Sequence, residues 1–243
     1  MPAVIHGQFR DVYETGAAQL YPLGQKLATP DGSVFRYAKM GATVGVAANL
    51  YQSEASNAGW VSELLPSPGV VAGDTTILIA DTAAAYAANV FAGGTVIIEE
   101  TASLGHTYPI KSNAASAGSA SAVHTLADGV TVQVTVANGG GVVTTLMKNP
   151  WRDVILGVIT NPTAMAAGIP RVIVAAAEFG WLQTRGVASC LVVGTWVVGD
   201  RLAAGLTAAG GIGPSGAATD PSIAVAMLVG VVADFGHCFL TID

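Results

Sequence analysis

Along most of the chain, apolar residues either alternate with polar ones or form short blocks broken by Gly, Pro, Asn and Asp. Successive side chains on a strand point to opposite faces, so this pattern predicts many short β-strands. In Val34-Phe35-Arg36-Tyr37-Ala38-Lys39, Phe35 and Tyr37 share one face and Arg36 takes the other. Lys26-Leu27-Ala28 precedes it across Thr29-Pro30-Asp31-Gly32, where Pro presets φ and Gly supplies a positive φ. Residues 26–39 therefore predict a β-hairpin.

Further strands are expected over 75–80, 95–100, 107–112, 131–136 and 142–146. The segment 107–112 reads as an edge strand, because Pro109 cannot donate to a ladder. The segment 131–136 shows the cleanest alternation, with Val132, Val134 and Val136 on one side. Asp81 as cap, an Ala-rich run over 82–91 and a Gly93-Gly94 stop predict one short helix. Beyond residue 150, strands are expected over 153–160, 172–175, 180–184, 190–193, 195–198, 223–233 and 238–242, with a Gly/Ala loop over 204–219. The turn Val71-Ala72-Gly73-Asp74 has a counterpart in Val198-Gly199-Asp200, which suggests two similar β units.

The fold expectation is mainly β: an extended N-terminal arm followed by small β-barrel or β-sandwich domains. The arm with its short hairpin is assigned to residues 1–68, ending at Pro66-Ser67-Pro68. A β domain is assigned to 69–150 and a C-terminal small β-barrel domain to 151–243.

Composition sharpens the picture. The chain has 243 residues, 51% apolar and only 11% charged, against roughly 25% charged for an average soluble domain. The apolar run 223–233 is too short to span a bilayer as a helix, which takes about 20 residues. The ten Lys and Arg are scattered without a run of two, and net charge is −6, so nucleic acid is not an expected partner. No leader-like start is visible at Met1–His6, which points to synthesis in a cytoplasm. Cys190 and Cys238 read as reduced, buried, small apolar residues. So little charge fits a protein covered by partners in an assembly better than a freely diffusing enzyme.

Candidate chemistry is sparse. The formal G-x-G-x-x-G at 211–216 is interrupted by Pro214, so no phosphate-binding helix can open there. His237 and Cys238 are strand neighbours and point to opposite faces, which argues against a shared metal. His6, His106 and His124 each stand alone. Glu99-Glu100 would split between two faces, and Asp74, Asp128 and Asp200 read as turn residues. Trp60, Trp151, Trp181 and Trp196 read as core or as interface anchors. No catalytic, cofactor-binding or metal-binding residue is assigned, no cofactor is expected, and a β-barrel hydrolase or lyase is disfavoured for want of a convergent acid, base or nucleophile.

The segments 10–13, 19–24 and 31–39 resemble the opening of virion structural proteins of tailed bacteriophages. Gly105–Ser112, Lys148–Val154 and Phe179–Thr184 resemble the same group, and Gly180–Gln183, Gly194-Thr195, Gly199-Asp200 and Val229-Gly230 are similar to the small β-barrel of head decoration (cement) proteins. The resemblance implies a non-enzymatic capsid decoration protein on the outer surface of the head, bridging capsomers. Its implied partners are the major capsid protein and further copies of itself, as dimer or trimer, with neither nucleic acid nor membrane. A tail or fibre component is the alternative.

Overall fold

The computed structural model describes residues 4–64, 69–80, 84–99, 105–118, 120–137, 143–158, 163–204, 207–216 and 220–243. The protein is mainly β, built as two compact units: Met1–Ala55 with Pro150–Asp243, and Ser56–Asn149. The second unit is thus an insertion within the first.

In chain order the first unit opens with β1 (Val4–His6), β2 (Lys26–Ala28), β3 (Val34–Lys39) and β4 (Tyr51–Gln52). The inserted unit carries β5 (Glu63–Leu64), β6 (Gly69–Val70), β7 (Thr76–Ala80), β8 (Thr95–Ile98), β9 (His106–Asn113), β10 (Ser121–Leu126), β11 (Val136–Ala137) and β12 (Val143–Met147). The first unit resumes with β13 (Ile155–Leu156), β14 (Ala166–Pro170), β15 (Phe179–Leu191), β16 (Arg201–Ala204), β17 (Ile212–Pro214), β18 (Ser222–Ala226) and β19 (Phe235–Thr241).

The main sheet of the first unit runs β1-β2-β3-β15-β19-β18-β16-β17. The predicted hairpin is present with Lys26 opposite Arg36 and Ala28 opposite Val34. Its surroundings differ from expectation: β3 pairs with β15, from Lys39 opposite Phe179 to Val34 opposite Arg185. The residues before 55 are therefore strands of the C-terminal unit's own sheet, not an arm over 1–68. The reason is apolar: Phe35, Tyr37, Phe179 and Trp181 are buried together, Tyr37 stacking on Phe179 at 5.8 Å and meeting Trp181 edge-on at 5.0 Å. The expected borders near 68 and 150 accordingly become the borders of the insertion, 55/56 and 149/150.

β15 is long and changes neighbour, from β3 to β19, at Arg185. Gly186 makes the crossing possible: its φ is +95°, and a Cβ there would lie 2.6 Å from the Ser33 hydroxyl. Beyond the crossing, Ala188, Cys190, Cys238 and Leu240 face a core completed by Trp196, Leu202 and Ile212.

In the inserted unit, six strands close a ring, β10-β7-β5-β12-β8-β9. Alternation fills it: Ile77, Ile79, Val96, Ile98, Tyr108, Ile110 and Leu146 are all buried. β9 is paired on both sides, so it is no edge strand. Pro109 is accommodated where the ladder to β10 shifts register and ends; its carbonyl still accepts from Ala127 N–H. Over 131–136 the alternation is real, with Val132 and Val136 buried, yet only Val136–Ala137 is strand. Val132 instead exchanges backbone bonds with Gly73 and Asp74, and Gln133 N–H donates to the Tyr108 hydroxyl. The expected cap Asp81 lies outside the described residues. From 84 to 91 the chain forms no helix: Tyr86 bridges to Ser116, turns follow from residue 88, and Phe91 plugs the barrel core.

Three further expectations shift. Residues 172–175 and 195–198 form single bridges, not strands. The apolar run from 223 yields β18 and then a turn. Ile212–Pro214, expected in a loop, is β17, paired to β16.

Candidate interaction surface

The Val-Ala-Gly-Asp turn noted above belongs to a larger set. Among the described residues, five turns that end in Asn, Asp or Glu share one construction: Val46–Asn49, Val71–Asp74, Ala175–Glu178, Val197–Asp200 and Val231–Asp234. In each, the N–H of the fourth residue donates to the carbonyl of the first. The third residue has positive φ, from 60° at Ala177 to 99° at Gly73. A positive φ at that position closes a type II turn. The acid at position four can reach back: Asp74 Oδ2 accepts from Val71 N–H at 2.7 Å, and Asp200 Oδ2 from Val197 N–H at 2.8 Å. Each turn leads into a strand, respectively β4, β7, β15, β16 and β19.

Four of these turns are coupled in two pairs by antiparallel bridges at the preceding residues, Gly45 with Val174 and Trp196 with Gly230. The tips are apolar and in water: Val46, Val71, Val197, Val198, Val231 and Val232 are all exposed. A turn tip is ordinarily polar, because nothing covers it.

Trp196 fixes the second pair. Its indole is fully buried, its Nε1–H donates to the Leu228 carbonyl at 2.9 Å, and it lies so close over Gly230 that a Cβ there would stand 2.3 Å from the ring. The exposed Leu228, Val229, Val231 and Val232 are thus held on a rigid tip. The outward residues of the neighbouring strands continue the apolar surface. Val187 on β15, Phe239 on β19 and Val225 on β18 sit in one cross-strand row, all exposed. Eleven of the 22 exposed large apolar side chains among the described residues fall between Val187 and Phe239.

The residues singled out for chemistry are dispersed. His237 is exposed on β19, while Cys238 is buried against Cys190 with the sulfurs 3.3 Å apart. The hydrogen bond with Cys238, and then burial, push the Cys190 thiol well above its ordinary range, so it supplies no thiolate nucleophile. His6 is exposed on β1. His106 Nδ1 lies 3.2 Å from the Tyr108 hydroxyl. His124 is buried within the barrel, 3.4 Å from the Tyr86 hydroxyl. Glu99 accepts from the Thr145 hydroxyl at 2.8 Å, and Glu100 lies outside the described residues. Asp128 pairs with Lys111 at 2.7 Å. Trp60, Trp181 and Trp196 are buried; Trp151 is half-buried, with the Arg36 guanidinium 5.1 Å above its ring.

Among the described residues, no three His, Cys, Asp or Glu converge. One groove, about 530 Å³, is lined by Tyr13, Arg171, Gln183, Ser189 and His237 along with apolar residues such as Ile169 and Phe235. Its Arg171 is spent on structure, donating to Gln183 Oε1 at 2.9 Å and to the Val187 carbonyl at 3.2 Å. Comparison with family models, curated proteins and solved structures gave no match. No helix among the described residues is long and apolar enough to cross a membrane.

Sequence reasoning found two of the five turns. The other three carry Ala at the positive-φ position, where the expected signal is Gly.

Proposed function

We propose that this protein is a structural virion component: a decoration protein that binds the outer surface of a bacteriophage head and strengthens it by bridging capsomers. The observation that carries the reading is the set of hydrogen-bonded turns in the first unit that hold Val46, Val197, Val198, Val231 and Val232 exposed in water. Isolated monomers seldom expose a contiguous apolar patch beyond about 300–600 Å². A surface of this kind is stable in water only when a partner covers it for most of the protein's life. The sequence resemblance supplies the kind of partner, an assembled protein shell.

Such a protein acts by mass action. Binding only the assembled lattice stabilises each site by roughly 2.7 kcal/mol at a hundredfold excess over Kd. Repeated over a head, this opposes the outward pressure of packaged DNA. Apolar and main-chain contacts give the binding little salt dependence. Heads lacking the protein should assemble, yet release DNA at lower temperature. Purified protein added back should restore the higher threshold in about 50 mM and about 500 mM salt alike. Failure of heads to assemble, or equal robustness without the protein, overturns the reading.

A further inference from the structure

We infer that the outward face of β15, β19 and β18 is a self-association surface on which two copies of this chain pack face to face. The inference is independent of placement on a head.

The face is built in rows by strand register. Val187, Phe239 and Val225 form one row. Ser189 and His237 form the next, extended by Met227, whose N–H donates to the His237 carbonyl. Phe235 follows on β19, 60% exposed. An exposed Phe standing on a regular strand, with a second exposed Phe four residues on along the same face, is a costly thing to leave in water. Fully burying such a side chain stabilises by about 1.5–3 kcal/mol.

Three features select a second copy as the occupant. The first is charge. A patch can pair with itself only if it brings no like charges together, and the central rows carry neither Lys, Arg, Asp nor Glu. The second is polarity along the strands. Arg185 sits beside Thr241 at one end of the β15–β19 ladder, and Asp234 precedes Phe235 at the other. A two-fold axis running across the strands near Phe239 and His237 lays the Arg185 end of one copy over the Asp234 end of the other. The same operator passes through the His237 row and lays Phe239 of each copy over Phe235 of the other, as an isologous contact requires.

The third is area. Without β16, whose exposed Arg201 stands opposite Val225, the face is three strands wide, about 14 Å, and β19 is roughly 23 Å long. That projects to on the order of 330 Å² before side-chain relief and the Leu228–Val232 tip are added. Both raise it toward the ~800 Å² per partner of a standard interface.

The experiment uses the purified full chain without heads, by sedimentation velocity and light scattering at micromolar concentration. Wild type should be a dimer. Phe239→Glu should be a monomer with unchanged circular dichroism, because Phe239 points away from the core. Arg185→Glu should weaken the dimer at least tenfold, and adding Asp234→Arg in the same chain should restore it, a readout that general misfolding cannot mimic. A monomeric wild type, a Phe239→Glu variant that stays dimeric, or charge reversals without rescue would each overturn the inference. Head binding is scored separately, so failure here leaves the shell reading to its own test.

Discussion

Ala48, Ala177 and Ala233 hold left-handed backbone, with φ of 64°, 60° and 64°. An L-residue with a Cβ loses about 1–2 kcal/mol there, while glycine loses more chain entropy on folding. The strain is the larger effect, so Ala177→Gly and Ala233→Gly should stabilise the protein by about 0.5–1 kcal/mol each. Gly199→Ala should cost about 1 kcal/mol through φ alone, because a Cβ there meets nothing within 4 Å. Urea unfolding midpoints of the three variants check both signs. These alanines also mark where the sequence goes silent. Gly73 and Gly199 announce a turn by their identity, whereas an alanine in the same conformation is held by its context and carries no local signal. These turns were therefore legible at two places in five.

Strands were legible where the partner lies close in sequence. The β2–β3 hairpin follows from turn chemistry and alternation alone, and most barrel strands from alternation and β-branched residues. The partner of β3 lies about 140 residues downstream, so nothing local distinguishes it from a free arm. The Ala-rich stretch before Phe91 lost its helix to the need for one aromatic ring in the barrel core, a tertiary demand that outweighs propensity. Element junctions also create a pH response. The Arg36 guanidinium, hydrogen-bonded at 2.8 Å, holds the Asp243 carboxyl below its ordinary range against some desolvation, with Lys26 and the Thr184 hydroxyl assisting. A depressed folded pKa gives stability that is complete above the unfolded value of about 3.9 and is lost as pH falls through the folded value. Wild type should thus lose stability more steeply than Asp243→Asn below pH ~4, as read from urea midpoints across an acid series.

At the level of the whole molecule, low charge and apolar turns both accord with the proposed reading of a surface covered by partners. Composition carried that message before any fold was known. What composition could not give was the location of the surface, because outward and inward valines look alike until register assigns them. The sequence placed one border of the insertion, near Pro150, but put the other at Pro66-Ser67-Pro68 instead of 55/56, and nothing local shows that the two flanking parts form one unit. The inserted unit has its own ring of strands and its own core of Ile77, Ile79, Phe91, Val96, Ile98 and Leu146. Residues 56–149 expressed alone should fold, giving dispersed amide resonances and one cooperative thermal transition. A spectrum collapsed to random-coil values would refute its autonomy.

The nesting of one unit inside the other has a consequence in time. During synthesis β1, β2 and β3 emerge first, yet the strand that completes their sheet is made about 140 residues later. At about 5–20 residues per second, they wait roughly 7–30 s. The inserted unit can collapse meanwhile, since all six of its ring strands lie between residues 63 and 147. The open edge of β3, with Phe35 and Tyr37 uncovered, is then the most vulnerable stretch of the nascent chain, and chaperone demand should peak just before β15 leaves the ribosome.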